Sequence, residues 1–173
     1  MTTGNYKAIG ETGIDLYWDN TLLSLQSEPF ELQLKMAESA GLPVIIHSRN
    51  AFRETVEIIA KVAPSIPLVF HSFTGTPDDV WLIREVCDPY FGINGVVTFK
   101  NAKLLREALP EIGIHRILLE TDAPWLTPAP HRGKRNDSSY LSFIRDGIAQ
   151  TLNMTPDEVE KITDNTAKSV FKI

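Results

Sequence analysis

The sequence predicts an α/β protein built on a parallel β-sheet. Short apolar runs alternate with amphipathic stretches along the 173 residues, and this strand–helix order recurs along the whole chain. A doubly wound open sheet and a piece of a (βα)8 barrel both have this order, so periodicity alone does not choose between them. We expect one domain over residues 1–173, because this length is sufficient for a single hydrophobic core.

The strands are predicted from short apolar runs that are bounded by proline or polar residues. They fall at residues 7–11, 43–47, 67–71, 90–93 and 116–120. The second run is apolar without interruption until its last residue, as expected for a strand with both faces covered by other layers.

The helices are predicted from apolar stripes with start and stop signals. They begin near Ser27, Asn50, Thr76, Lys103, Leu141 and Thr155. The first should have Pro29 in its first turn and end at Gly41. Asn50 and Thr76 are expected to cap the second and third helices, and Pro110 should close the fourth.

Composition and charge limit the function classes. The chain is 43% hydrophobic and 23% charged, which is ordinary for a globular protein, and it has no apolar run of membrane-spanning length. With no secretory signal and one cysteine, Cys87, we expect a cytoplasmic protein without disulfides or a membrane partner. The net charge of −5 disfavours nucleic-acid binding through a broad basic surface, although bound cations can attract phosphates locally.

Four of the five predicted strands end in, or just before, a residue that can bind a metal ion. These residues are Glu11, His47, His71 and Asp122. Because the carboxyl ends of parallel strands meet at one rim of the sheet, we expect the four side chains to lie close together. Each alone is more simply read as a rim histidine or a capping carboxylate. Together they favour a centre for Zn²⁺, Mn²⁺ or Mg²⁺, because charged groups at a buried rim are costly unless paired or metal-bound.

The segments around these residues resemble signatures of the TatD family of metal-dependent deoxyribonucleases. They are Gly-Glu-Thr-Gly-Ile-Asp at 10–15, Pro-Val-Ile-Ile-His-Ser-Arg at 43–49, Phe-His-Ser-Phe-Thr-Gly at 70–75, Leu-Glu-Thr-Asp-Ala-Pro at 119–124 and Arg-Gly-Lys-Arg-Asn at 132–136. The resemblance covers nearly the whole chain in the same order. It implies an amidohydrolase-like (βα)8 barrel that cleaves phosphodiester bonds of DNA, or alternatively RNA, through a metal-activated water.

The resemblance also implies a role for each site residue. Glu11 would bridge up to two metal ions, and His47 and His71 would complete the first. Asp122 would bind the second ion and position or deprotonate the attacking water, which makes Asp122 and Glu11 the expected catalytic residues.

Basic side chains near the predicted rim are candidates for substrate binding. Arg49 stands shortly after the second strand, where a guanidinium can hold phosphate through two hydrogen bonds. The proline-rich loop 121–137 contains a basic cluster with Arg132, Lys134 and Asn136. We expect these four residues to contact the substrate, with a solvated loop as the alternative for the cluster.

Three further residues near these motifs carry weaker expectations. Asp15, in the same motif as Glu11, is expected to orient the loop backbone rather than to touch metal. Trp18 and Trp125 are able to stack a base, but core packing is the stronger expectation for both tryptophans.

The chain departs from the family pattern in one large respect. The family opens with a His-x-His-x-Asp segment that holds the second metal, whereas the other histidines of this sequence are the isolated His115 and His131. A barrel of about 250 residues uses about 30 per unit, which leaves this chain roughly two to three units short. We therefore expect an incomplete TIM (βα)8 barrel, with strands four to eight and their helices, and self-association through free edges at 8–11 and 117–120.

Three alternative functions stay open. The chain could belong to another amidohydrolase-like enzyme that cleaves amides, lactones or phosphotriesters, or to a hydrolase of aminoacyl esters on RNA. Several amidohydrolase-like relatives use a carboxylated lysine as bridging ligand where Glu11 stands, which favours the TatD interpretation. The missing His-x-His segment favours an inactive truncated remnant that binds one metal ion or none.

Overall fold

The computed structural model describes residues 6–173 as a five-stranded sheet with six helices. The strands are β1 (Ile9–Asp15), β2 (Val44–Arg49), β3 (Leu68–Phe70), β4 (Tyr90–Ile93) and β5 (Ile117–Leu119). The helices are α1 (Leu23–Ala40), α2 (Phe52–Val62), α3 (Pro77–Arg84), α4 (Lys103–Ile112), α5 (Leu141–Leu152) and α6 (Pro156–Phe171). No helix within this range is both long enough and apolar enough to cross a membrane.

The strands lie side by side in chain order, and every neighbouring pair is parallel. A doubly wound sheet reverses its strand order at one point, so this uninterrupted order excludes that alternative for residues 6–173. The prediction of a parallel α/β fold is confirmed, and the order is that of a TIM-like barrel wall.

One face of the sheet carries the main hydrophobic core. Ile46, Phe70 and Phe91 are register partners on β2, β3 and β4, and all three are fully buried. They form one cluster with apolar residues from α1 to α5 and the start of α6. The helices therefore cover this face, which is one of the two faces that were predicted to be covered.

The opposite face of the sheet, which we call the site face, carries the predicted ligands. Val69 and Leu118 on this face are buried by Val170 near the end of α6. Side chains alternate along a strand, so His71 lies on the same face as Val69, two residues further on. His47 is the matching position on β2, because β2 and β3 stay in register; β2 continues beyond it to Arg49, two residues further than predicted.

Two helix boundaries differ from prediction because proline is tolerated inside both helices. α1 begins at Leu23, about one turn before the expected start near Ser27, so Pro29 lies within the helix. α4 continues past Pro110 to Ile112. Each proline removes one backbone hydrogen bond, but apolar residues of the same helices remain buried in the core, and this packing offsets the loss.

The predicted caps had mixed outcomes. Thr76 caps α3, as predicted. It also forms a reciprocal capping box with Asp79. Asn50 does not cap α2; Ala51 stands at the cap position without a side-chain bond. Asn50 has a φ of 54° instead, a left-handed conformation that asparagine adopts more readily than most residues.

Candidate metal centre

Glu11 reaches the site from an irregular point in β1. The strand was expected to end at Glu11 but continues to Asp15, and its register with β2 shifts between Ile9 and Thr12. Beyond the shift, Gly13 runs so close to β2 that an added Cβ would lie 1.9 Å from the carbonyl oxygen of His47. Glycine at this position therefore brings the Glu11 strand against the His47 strand.

The side chains of Glu11, His47 and His71 converge. Nδ1 of His47 lies 3.1 Å from Nε2 of His71, and the nearer carboxylate oxygens of Glu11 lie 3.0 Å from His71 Nε2 and 3.6 Å from His47 Nδ1. A tetrahedral zinc ion with bonds of about 2.0–2.1 Å separates its ligand atoms by about 3.3 Å. The three observed separations lie on both sides of this value. The three donor atoms therefore fit one divalent ion and leave its fourth coordination position free.

Asp15 orients His47 through the ring nitrogen that faces away from Glu11 and His71. Its Oδ2 lies 3.1 Å from Nε2 of His47, and its Oδ1 accepts a hydrogen bond of 2.8 Å from the backbone N–H of Tyr17. The expected contact of Asp15 with loop backbone is therefore confirmed, whereas its contact with His47 was not anticipated. A carboxylate on the far nitrogen holds an imidazole in the tautomer that leaves the near nitrogen free for a metal ion.

The environment of His71 favours the neutral, metal-binding form of its imidazole. Its side chain is 10% exposed, and burial lowers the pKa of His71. The carboxylates of Glu11 and Asp122 oppose this shift, and the neighbouring His47 adds to it. The net lowering leaves His71 uncharged near neutral pH, which is the form that binds metal ions.

Glu120 is a carboxylate of the site that the sequence reasoning did not single out. It follows β5 on the site face, accepts a hydrogen bond from the backbone N–H of Ser72, and places Oε2 3.9 Å from Nδ1 of His71. Gly92 makes room for it, because an added Cβ there would lie 2.8 Å from the Glu120 carboxyl carbon. Burial raises the pKa of Glu120 to about 7, and the nearby carboxylates of Asp122 and Glu11 add to the rise. The sequence signal that could have indicated Glu120 is its spacing of two residues from Leu118, because side chains two residues apart lie on the same face of a strand.

Asp122 is close to the site but does not join the three converging side chains. Among the described residues, the group with ligand atoms within 4.8 Å of one another contains Glu11, His47 and His71. Asp122 has a φ of 57° and begins a turn closed by the N–H of Trp125. Its negative charge acts to raise the pKa of His71. Its predicted role as a metal ligand stays a prediction.

Arg49 stands at the rim beside exposed aromatic residues. Its guanidinium carbon lies 3.6 Å from the centre of the Tyr17 ring, and Trp18 packs edge-on against Tyr17 at 4.8 Å. Trp18 is 83% exposed and Trp125 is 71% exposed. The expectation that both tryptophans pack in the core is therefore wrong, because each lies in a loop at the surface.

The predicted substrate-binding residues of the loop 121–137 fall into two groups, exposed and buried. Arg132 and Lys134 are exposed, and the Arg132 guanidinium stacks on Phe99 at 3.6 Å. Asn136 is 1% exposed, and its side-chain nitrogen donates to the carbonyls of Thr121 at 2.7 Å and Trp125 at 2.5 Å. Asn136 therefore holds the two ends of the loop together, and its direct contact with substrate stays an untested prediction.

The fold and the site define a class: a singly wound, barrel-type α/β protein with a Glu–His–His group on neighbouring strands that can hold a metal ion. Comparison with known proteins gives the family. The chain belongs to the TatD related DNase family, which matches residues 1–172.

The chain is similar to two bacterial proteins described as uncharacterized metal-dependent hydrolases. It is 41% identical over 169 residues to YabD of Bacillus subtilis (96% of this chain, 65% of that protein). It is 34% identical over 171 residues to TatD of Mycobacterium tuberculosis (95% of this chain, 64% of that protein). The crystal structure of the TatD homologue YjjV from Escherichia coli superimposes with a TM-score of 0.88 at 24% identity, over 96% of this chain and 64% of that chain. The chain thus spans just under two thirds of the length of these relatives.

Proposed function

We propose that this chain carries the metal centre of a hydrolase that cleaves phosphodiester bonds of DNA. The convergence of Glu11, His47 and His71 at one rim of a parallel sheet is the observation that carries the proposal. The family description, TatD related DNase, supports DNA as the substrate, with RNA as the alternative. The descriptions of the relatives as metal-dependent hydrolases support the reaction class.

In this proposal Glu11, His47 and His71 hold a Zn²⁺, Mn²⁺ or Mg²⁺ ion. A bound divalent cation lowers the pKa of a water ligand and polarises a phosphoryl oxygen. Asp15 keeps His47 in the required tautomer through its contact with Nε2. Asp122 would accept the proton of the attacking water at a carboxylate oxygen, and in a complete family site Asp122 and Glu11 would help to hold a second ion.

Cationic side chains at the rim bind the phosphates of the substrate. Arg49 is exposed and held in place by its stacking on Tyr17, so its guanidinium edge can donate to phosphate oxygens. Arg132 and Lys134 present charge from the loop that follows β5. Asn136 acts on the substrate indirectly, by fixing the loop that carries these two residues.

The five strands correspond in this proposal to strands four to eight of a (βα)8 barrel, within one domain over residues 1–173. The uninterrupted strand order supports this assignment. So does the coverage, because the chain matches 64% of the E. coli structure with the same fold. Among the described residues, β1 and β5 each pair with a strand on one side, which is the arrangement of an open barrel wall.

A second candidate is a chain that binds one metal ion but does not catalyse by itself. The position of Asp122 outside the converging group favours it, because the described residues then form one three-ligand site rather than a two-metal site. Hydrolysis of aminoacyl esters or of other amidohydrolase substrates would use the same centre. Assays with the different substrates, rather than the geometry of the site, distinguish these activities from cleavage of DNA.

The test combines metal analysis with hydrolysis assays on the purified chain. We expect about one zinc per chain by mass spectrometry, loss of that zinc in His71→Ala, and retention in His115→Ala, a matched histidine on another part of the surface. Labelled DNA, labelled RNA, bis(p-nitrophenyl) phosphate and an aminoacyl ester then identify the substrate. Zinc binding without turnover of any substrate would support the second candidate, and equal zinc binding in wild type and His71→Ala would refute the site.

A further inference from the structure

The loop between β5 and α5 forms a groove at the surface of the chain. The groove has a volume of about 550 Å³ and is lined by residues 124–127 and 132–135, two segments that the loop brings together. Pockets for small organic ligands have volumes of about 300–1,000 Å³, so the groove is large enough to hold one nucleotide. We call it the loop groove.

Hydrogen bonds inside the loop fix the shape of the groove. The backbone N–H of Asn136 donates to the carbonyl of Pro124 at 3.0 Å, and the hydroxyl of Thr127 donates to the carbonyl of Lys134 at 2.5 Å. The side chain of Asn136 adds its bond to the carbonyl of Trp125. Because these bonds already join the two lining segments, a ligand would not have to order the loop, and binding avoids that entropic cost.

The loop is also held against the segment that follows β4. An added Cβ at Gly95 would lie 2.0 Å from the carbonyl oxygen of Leu126, so the two backbones are in direct contact. The N–H of Ala129 donates to the hydroxyl of Thr98 at 2.8 Å. The backbone position of Trp125 is therefore set by contacts inside the loop and by contacts with its neighbour.

Trp125 presents an aromatic face to solvent from this rigid backbone. Its side chain is 71% exposed, and the same groove is lined by Arg132, Lys134 and Arg135, all of which are exposed. Proteins that bind single nucleic-acid strands combine aromatic side chains, on which bases stack, with cations that follow the phosphates. The loop groove has both kinds of side chain, which distinguishes it from a merely solvated basic loop.

The loop groove lies next to the candidate metal centre. The N–H of Trp125 closes a turn on the carbonyl of Asp122 at 2.9 Å, and the Cα atoms at the two ends of such a turn are within about 7 Å of one another. Asp122 in turn lies close enough to His71 for its charge to act on the pKa of that histidine. A strand with a phosphate at the metal centre would therefore place a neighbouring nucleotide over the groove.

We propose that the loop groove binds a nucleotide adjacent to the cleaved bond, with its base stacked on the indole of Trp125. Lys134 and Arg135 hold the phosphate of that nucleotide. The inference rests on the nucleic-acid substrate proposed above and adds a contact with a base to the phosphate contacts. Every base has a face that can stack, so the groove requires a base at this position without selecting which one.

The test compares two labelled strands by fluorescence anisotropy with the purified chain: an oligothymidylate and the same strand with abasic residues throughout. Wild type should bind the oligothymidylate at least about fivefold more tightly, the low end of what stacking on an aromatic side chain contributes. Trp125→Ala should remove this preference, and Trp125→Phe should retain part of it. Electrophoresis of the recovered strands shows that they were not cleaved during the titration.

Two controls separate base stacking from other effects. Trp81→Ala removes a tryptophan of α3 that is 54% exposed and should change neither affinity. Lys134→Ala should weaken both strands by the same factor and reduce the salt dependence of binding, because its contact is with phosphate. An unchanged urea midpoint in Trp125→Ala shows that the loop remains folded.

Three results would overturn the inference: equal affinity of wild type for the two strands, wild-type preference in Trp125→Ala, or an equal loss of affinity for both strands in that variant. Thymidine monophosphate is added as a competitor, and displacement of the strand at concentrations near the strand's own Kd would identify a site for free nucleotides instead. These readouts are binding constants. Their failure is distinct from failure of the hydrolase proposal, which is judged by metal content and turnover.

Discussion

Replacing Gly13 with alanine should push the strand that carries Glu11 away from the strand that carries His47. An added Cβ would lie 1.9 Å from the carbonyl oxygen of His47, whereas real Cβ atoms essentially never approach within 3.0 Å of such an atom. The obstacle is backbone rather than a flexible side chain, so β1 must move by at least about 1.1 Å. The φ of Gly13, 151°, adds strain for alanine.

This displacement is large compared with the tolerance of a metal site. Metal–ligand distances must hold to within about 0.2 Å, so we expect Gly13→Ala to lower zinc affinity by about 10–100-fold, the range found when a ligand's support is removed. Overpacking of this kind should also lower the free energy of unfolding by about 1–3 kcal/mol.

Isothermal titration calorimetry with Zn²⁺ and urea unfolding measure the two effects. Gly41→Ala is the matched control, because Gly41 has a φ of 63° but nothing within 4 Å of an added Cβ. It should cost about 1 kcal/mol in stability through strain alone and leave zinc affinity unchanged. Wild-type zinc affinity in Gly13→Ala would refute the reasoning that the close approach of β1 and β2 sets the site.

Three other predictions concern side chains around and beyond the site. Asp15→Asn should reduce zinc affinity by about tenfold, because the amide holds the tautomer of His47 less firmly; titration calorimetry with unchanged circular dichroism checks it. Burial raises the pKa of Cys87 to about 12, so its thiol should react with Ellman's reagent at pH 8 only after denaturant is added, and rapid reaction of the folded chain would contradict this burial. Asn136→Ala should lower the free energy of unfolding by about 1–3 kcal/mol, because two loop carbonyls lose a buried donor. An unchanged urea midpoint would contradict the inference that Asn136 holds the two ends of the loop together.

The strands and two of the metal ligands could be predicted from the sequence because their signal is local. A continuous apolar run that ends in histidine places that histidine near a strand end: His71 directly follows β3, and His47 lies two residues before the end of β2. Glu11 could be chosen by the same rule, although the strand continues beyond it. Its position depends on a register shift against β2, which is a property of two strands together and leaves no trace in the apolar pattern of one.

The acidic side of the site could be predicted only in part, because it depends on how the chain turns after β5. Glu120 and Asp122 both follow the same apolar run. Glu120 faces His71, whereas Asp122 has a left-handed conformation and lies outside the group of Glu11, His47 and His71. Such a conformation is uncommon outside glycine, and no turn signal in the sequence specifies it. The contact between Asp15 and His47 was missed for a related reason, since it joins β1 to β2 through residues that are distant in sequence.

The placement of the three candidate ligands ties the metal centre to the pairing of β1 with β2. Among residues 6–173, His47 and His71 come from the region of strands that pair on both sides, whereas Glu11 comes from a strand that pairs with β2 alone. A metal ion that bound all three side chains would therefore hold β1 against β2, and it would stabilise the folded chain by binding only its native arrangement.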